Sequence, residues 1–128
     1  MKKYLVLGSN SFAGSSFVNQ LLTDDHIVIG ISRSVEPIDL LLGYAENPKK
    51  DINLRFFQMD LNTDFELIVR LIQTEKPNVI VDFAGQGMVA QSWLWPEQWY
   101  LTNILSKVKL HNFLKECDFL EKYIRIST

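Results

Sequence analysis

The segment KYLVLGSNSFAGSSF, residues 3–17, decides the fold of this chain. An apolar run ends at Gly8, small residues follow, and apolar side chains then recur at helical spacing from Phe12 onward. This order predicts a buried strand, a glycine turn and a helix. Gly8 permits the tight turn, and Gly14 lets the helix pack closely on the sheet. The alternative is an ordinary strand-to-helix turn that binds no ligand.

The alternation of strand and helix continues along the chain. Apolar runs predict four further strands, at residues 27–31, 54–59, 79–81 and 123–126. Helical spacing predicts a helix that Asn62-Thr63-Asp64 caps and a long helix over residues 96–117. Five strands joined by helices predict an α/β fold with a doubly wound parallel sheet, the Rossmann fold, in the order 3-2-1-4-5. The connection at residues 34–51 is long, which predicts a mobile or functional segment.

The composition predicts one domain with a substantial core, because 47% of the 128 residues are hydrophobic. The net charge of -2 and the pI near 5.6 give no reason to expect binding to nucleic acid or to an anionic membrane. No apolar run approaches the roughly 20 residues that span a bilayer. The apolar run after Met1-Lys2-Lys3 is too short for a signal peptide. We therefore expect a cytoplasmic protein.

The cysteine and histidine content predicts neither a disulfide nor a metal site. Cys117 is the single cysteine, and we expect a buried structural thiol within the predicted long helix, in a reducing compartment. His26 and His111 have no partners at the spacing of a metal site or a catalytic triad. We expect both to be structural or surface residues.

The glycine turn is also a candidate phosphate site. The helix that begins there directs free N–H groups towards phosphates, and a small residue at Ser11 lets the backbone approach a pyrophosphate. The candidate cofactor-binding residues of this unit are Gly8, Asn10, Ser11, Phe12, Ala13 and Gly14.

The end of the second predicted strand indicates which dinucleotide binds. An Asp or Glu there would bind the NAD ribose, but the chain has Ser32, Arg33 and Ser34. Arg33 can pair with a 2′-phosphate and the serines can donate hydrogen bonds to it, which favours NADP, with NAD as the alternative. A solvated surface arginine is the other interpretation. Asp60-Leu61 follows the third strand, where the carboxylate can accept from the adenine amino group or can simply cap the next helix.

Taken together, these segments resemble the extended short-chain dehydrogenase/reductase family, in particular sugar-nucleotide 4,6-dehydratases such as the GDP-mannose dehydratases. The stretch VIVDFAGQGMVAQSW, residues 79–93, looks like the fourth strand of that family and its Ala-Ala-Gln-Ser-His-Val loop. Gly87-Met88 replaces the usual Ser-His, and Ser11 replaces the middle glycine of the turn.

The resemblance implies roles for residues of this loop and of the fifth strand. It implies that Ala84, Gly85 and Gln86 border the cofactor. It implies that Ser92 lies near the substrate phosphates or the nicotinamide, and that Thr128 is the active-site Ser/Thr at the end of the fifth strand.

The resemblance also implies an activity. Family enzymes oxidise a sugar nucleotide at C4 by hydride transfer to NAD(P), and then either dehydrate or epimerise the sugar. None of the four tyrosines has the lysine of the family's Tyr-x-x-x-Lys motif. We therefore expect residues 1–128 to be the NAD(P)-binding domain of a longer enzyme, inactive alone and lacking the substrate domain.

The resemblance further implies a homo-oligomer that pairs through the helix at residues 96–117. A non-catalytic NADP-binding regulator of the same fold is the alternative function. A receiver domain is disfavoured, because Gly8-Ser9-Asn10 offers no acidic residue after the first strand.

Overall fold

The computed structural model describes residues 1–84, 97 and 104–126. Its strands are β1 (Lys3–Leu7), β2 (Ile27–Ser32), β3 (Leu54–Gln58), β4 (Val79–Asp82) and β5 (Lys122–Arg125). Its helices are α1 (Phe12–Thr23), α2 (Lys50–Asn53), α3 (Phe65–Glu75) and α4 (Ser106–Leu114), with a 3₁₀ turn at Asp39–Leu41. The predicted alternation of strand and helix is confirmed for these residues.

The five strands form one parallel sheet in the predicted order, β3-β2-β1-β4-β5. β1 is central and pairs with both β2 and β4, so that Val6 lies opposite Gly30 on one side and Val81 on the other. β2 and β3 extend the sheet on one side of β1, and β4 and β5 extend it on the other side. A crevice therefore opens between the carboxyl ends of β1 and β4, which is where folds of this class bind ligands.

The core lies on both faces of the sheet. Alternate residues of β1 separate into two apolar clusters, with Leu5 and Leu7 in one and Val6 in the other. The first cluster includes residues of α3 and α4, and the second includes residues of α1. Helices therefore cover both faces, as a doubly wound fold requires.

The long connection after β2 is anchored to α1. Tyr44 is completely buried in the cluster beside α1, and its hydroxyl donates a hydrogen bond to the Glu36 carboxylate. The Asn47 side-chain amide donates to Oδ1 of Asn19 on α1 over 2.8 Å. The sequence prediction of a mobile or functional segment did not anticipate this buried tyrosine.

The structure corrects two local predictions. The Asp64 side chain does not cap α3; its carboxylate accepts from the backbone N–H of Asp60 over 2.8 Å. Cys117 lies three residues beyond the end of α4 at Leu114, not within a helix, and is only partly buried. Burial raises the pKa of its thiol, which fits the predicted unreactive role.

The bounds of the last strand and of the last helix also differ from prediction. β5 spans Lys122–Arg125, one residue earlier than predicted, and exposes Ile124 between its two cationic ends. Within the segment predicted as one long helix, residue 97 is helical, residues 104–105 are π-helical, and α4 ends at Leu114, before the predicted end at residue 117. Within the described residues, none of the helices has the length and apolarity to cross a membrane.

Candidate functional site

A cleft of about 270 Å³ opens at the carboxyl edge of the sheet, beside β1. This volume lies just below the range of roughly 300–1,000 Å³ for ligand pockets, so it suits one half of a dinucleotide. Nine of the predicted cofactor-binding residues line it: Gly8, Asn10, Ser11, Ser32, Arg33, Ser34, Asp60, Leu61 and Ala84. They come from the ends of four different strands, and the fold alone brings them together.

The glycine turn is held close to the backbone at the end of β4. Gly8 has φ of +83°, and a Cβ there would lie 2.9 Å from the backbone nitrogen of Ala84. A Cβ on Gly14 would lie 2.2 Å from the Gly8 carbonyl oxygen. Both glycines are therefore required by close backbone approach, as the sequence predicted.

The amino end of α1 has unbonded backbone N–H groups and no acidic side chain, as expected of an anion-binding site. Ser11 is the N-cap of the helix: its Oγ accepts from the Gly14 N–H over 2.9 Å and donates to the Gly8 carbonyl over 2.9 Å. The Ser15 N–H is bonded to the Ser11 carbonyl. In the first turn this leaves the N–H groups of Phe12 and Ala13 for a ligand, and that turn has no acidic residue.

Three residues of the helix start do not line the cleft. Phe12, Ala13 and Gly14 follow the lining residue Ser11 directly but are not among the residues that line the cleft, and the Phe12 side chain is 87% exposed. The predicted role of Gly14 is indirect, through packing. The capping role of Ser11 was missed, although a serine directly before a helical pattern is a recognised signal for an N-cap.

Asn10 joins the glycine turn to the segment that follows β2. Its backbone N–H donates to Ser32 Oγ over 3.0 Å, and its side-chain amide donates to the carbonyls of Ser34 over 3.0 Å and Val35 over 2.8 Å. The buried Ser32 hydroxyl is thus used as an acceptor within the wall of the cleft. Arg33 lies between the two serines and is exposed, so its guanidinium is accessible to a ligand.

Of the two roles that the sequence left open for Asp60, the structure shows the contact within the turn, and it places the residue in the wall of the cleft. It lines the cleft, and its Oδ1 accepts from the Asn62 N–H over 2.7 Å in a turn that leads to α3. Glu36 is not among the residues lining the cleft, and its carboxylate accepts a hydrogen bond from the Tyr44 hydroxyl. Among the described residues that line the cleft, Asp60 is thus the acidic side chain and Arg33 the basic one.

A buried ion pair below Ala84 was missed by the sequence analysis. The Lys107 ammonium, on α4, contacts both oxygens of Asp82 at 2.6 and 2.5 Å and the Ala84 carbonyl at 2.7 Å. The Tyr123 hydroxyl donates to Asp82 over 2.5 Å. Both charged side chains are almost wholly buried, at 3% and 1% exposure. Burial lowers the pKa of Lys107, and the charge of Asp82 opposes this effect.

The remaining predicted site residues are Gly85, Gln86, Ser92 and Thr128, and they lie outside the described residues. His26 accepts from the Lys2 backbone N–H, and His111 packs edge-on against the Tyr123 ring, 4.6 Å between ring centroids. Across residues 1–84, 97 and 104–126, no group of three or more metal-ligating side chains is found.

Comparison with known proteins identifies the family. Residues 5–128 match the family model described as GDP-mannose 4,6 dehydratase. This chain belongs to that family. The match covers nearly the whole chain, including the glycine turn, the cleft and the β4 loop.

Individual members and neighbours carry related names. A UDP-glucose 4-epimerase of Lactobacillus helveticus is 25% identical over 128 residues, covering 98% of this chain and 35% of that protein. The structure of a UDP-Glc/GlcNAc 4-epimerase of Campylobacter jejuni has a TM-score of 0.81 at 25% identity, covering 98% of this chain and 36% of that one. A dTDP-glucose 4,6-dehydratase of Bacillus anthracis, in complex with NAD, has a TM-score of 0.76 at 22% identity, covering 100% and 38%.

The similarity to the Bacillus anthracis dehydratase shows the fold alone, because the sequence identity is 22%. The chain spans about a third of the length of the curated relatives it matches. The family and the fold are therefore shown, and the activity of the whole protein is a matter for proposal.

Proposed function

We propose that this chain binds a nicotinamide dinucleotide in the cleft beside β1 and is the cofactor-binding portion of a sugar-nucleotide epimerase or dehydratase. The observation that carries the proposal is the convergence of residues from β1, β2, β3 and β4 on one cleft, with the helix amino end behind the glycine turn. The free N–H groups of Phe12 and Ala13 would receive the pyrophosphate, and Asp60 would receive the adenine amino group. The names of the relatives support the reaction class.

We further propose that NADP binds more tightly than NAD. Arg33, Ser32 and Ser34 line the cleft where a ribose-binding carboxylate would otherwise stand. A guanidinium and hydroxyl groups favour a 2′-phosphate over a 2′-hydroxyl. NAD is the alternative, and it is the cofactor in the dehydratase structure of Bacillus anthracis.

Titration of both cofactors by calorimetry tests these proposals. We expect Arg33→Ala to weaken NADP about tenfold, which corresponds to one charge-assisted contact in a partly solvated site, and to leave NAD nearly unchanged. Arg70→Ala is the matched control, since it removes an exposed arginine of α3 that does not line the cleft. A wild-type preference for NAD would refute the choice of cofactor; no binding of either would refute the dinucleotide site.

In the whole protein, we propose oxidation of a sugar nucleotide at C4 by hydride transfer to the bound nicotinamide. Thr128 would hydrogen-bond the C4 oxygen and Ser92 would lie near the substrate. A bound nicotinamide would supply the hydride acceptor, and the hydroxyl proton of the sugar would be taken by a Tyr-x-x-x-Lys pair supplied from outside this sequence. We expect the 128-residue chain alone to form no 4-keto sugar, and reproducible turnover by the purified chain would refute this division of labour.

We also propose that the chain self-associates through the segment at residues 96–117, for which the sequence predicts one long helix. In its described part, Ile104, Leu105 and Val108 are exposed on one side, at 37%, 43% and 52%. Apolar side chains at this spacing form a stripe that a second copy can cover. Sedimentation should give a dimer that Val108→Lys converts to a monomer, and a wild-type monomer at high concentration would contradict the proposal.

A further inference from the structure

The ion pair beneath Ala84 joins α4 and β5 to the wall of the cleft. Asp82 is the last residue of β4, and its Oδ1 accepts from the Ala84 N–H over 2.9 Å. Lys107 donates to the Ala84 carbonyl over 2.7 Å. Both polar groups of the Ala84 backbone are therefore held by the two members of one ion pair.

Stability alone gives a poor account of this arrangement. Removing two charges from water costs free energy, and a buried ion pair is often no better for stability than an apolar pair of similar volume. The Asp82 carboxylate already has two other donors, the Ala84 N–H and the Tyr123 hydroxyl. What Lys107 adds beyond neutralising Asp82 is the hydrogen bond to the Ala84 carbonyl.

The glycine turn packs against the backbone of Ala84, which the ion pair holds in place. A Cβ on Gly8 would be 2.9 Å from both the Ala84 nitrogen and the Phe83 carbonyl carbon. Phe83 and Ala84 also line the cleft opposite the residues that follow β2. A rotation of the Ala84 backbone would therefore change the width of the cleft. It would also change the surface that the glycine turn contacts.

We propose that Lys107 is a positioning residue of the cofactor site, which fixes the Ala84 peptide against the glycine turn through its ion pair with Asp82. This inference rests on the proposed dinucleotide binding. Lys107 itself is not among the residues that line the cleft. It acts through Ala84.

A charge-balanced double variant, Lys107→Met with Asp82→Asn, tests the proposal. The asparagine oxygen can still accept from the Ala84 N–H, and the methionine keeps the volume of the lysine stem while removing the donor to the Ala84 carbonyl. We expect the dissociation constant of the preferred dinucleotide to rise about tenfold. Tyr123→Phe is the control, because it removes a hydrogen bond from Asp82 without touching Ala84, and its affinity should stay within about twofold of wild type.

Hydrogen exchange supplies a readout that needs no cofactor. The Ala84 amide should be protected in wild type and in Tyr123→Phe, and should exchange about tenfold faster in the double variant. Either wild-type affinity or wild-type Ala84 exchange in the folded double variant would overturn the proposal. If that variant does not fold, Lys107→Leu with Asp82→Asn replaces it under the same criteria. An Ala84 amide that exchanges in wild type as fast as an exposed loop amide overturns the proposal by itself.

The two proposals fail in different ways. If wild type binds neither dinucleotide but Ala84 exchange depends on Lys107, dinucleotide binding is refuted and the positioning of Ala84 stands. If wild type binds a dinucleotide and the double variant binds it equally well, the positioning role is refuted and the cofactor site stands.

Discussion

Gly14→Ala tests whether the close approach of α1 to the glycine turn determines the fold of the site. The new Cβ would lie 2.2 Å from the Gly8 carbonyl oxygen and 2.7 Å from Ser11 Oγ. The first distance is more than about 1 Å short of ordinary van der Waals contact. Since the oxygen belongs to the backbone, the helix start or the turn must shift.

The magnitude follows from three contributions. Overpacking of a tight site costs roughly 1–3 kcal/mol, and displacement of the Ser11 cap costs about 1 kcal/mol more. The helix preference of alanine over glycine returns about 1 kcal/mol. We expect a net loss of about 2 kcal/mol in the free energy of unfolding, together with weaker dinucleotide binding because the turn has moved.

Urea unfolding followed by circular dichroism measures this loss. With a denaturant dependence of roughly 1–3 kcal/mol/M for small proteins, the midpoint should fall by about 1 M. Ser16→Ala is the matched control, because Ser16 is an exposed residue of the same helix, and it should change stability by less than about 0.5 kcal/mol. A Gly14→Ala protein as stable as wild type would falsify the argument from close backbone approach.

Three further results are expected. Ser11→Ala should lower stability by about 1 kcal/mol through loss of the N-cap and Ser11→Gly by only a few tenths; equal losses in thermal unfolding would contradict a capping role. Burial raises the pKa of the Glu75 carboxyl, but hydrogen bonds from Arg55 and Lys3 outweigh burial and hold that pKa below its usual value. Its contribution to stability is therefore complete above about pH 4.3 and is lost as the pH falls through the lowered pKa. Glu75→Gln should cost about 1 kcal/mol at pH 7 and progressively less as the pH falls below about 4.3; a pH-independent cost would oppose this. In the full-length protein, Thr128→Val should slow turnover by about one to two decades with unchanged cofactor affinity, and unaltered turnover would make the hydroxyl structural.

The predictable parts of this molecule are those encoded by local pattern. The glycine turn, the apolar strands and the helical spacing each lie within a short segment, and together they predicted the sheet order correctly. The convergence of Arg33 and Asp60 on one cleft followed from that order, because carboxyl ends of parallel strands share one edge. Their binding roles stay predictions.

The parts that were missed depend on distant pairs. Lys107 and Asp82 are 25 residues apart, and neither stands out in its own segment, since a helical lysine is usually solvated. Tyr44 was missed for a similar reason: it lies in a connection without helical or strand periodicity, and only the packed α1 explains its burial. Asp64 occupies the N-cap position of α3, within the predicted segment, but its carboxylate accepts from the Asp60 N–H instead of from a helix N–H.

The exposed strand β5 has a consequence for how copies of the chain behave at high concentration. β5 pairs with β4 on one side and is the last strand of the described sheet. An open strand edge is a template onto which another chain can add by backbone hydrogen bonding. Here exposed Lys122 and Arg125 flank the apolar Ile124, so two such edges that meet bring like charges together. We expect these cations to oppose aggregation through this edge, and we expect added salt to weaken the effect by screening the charges.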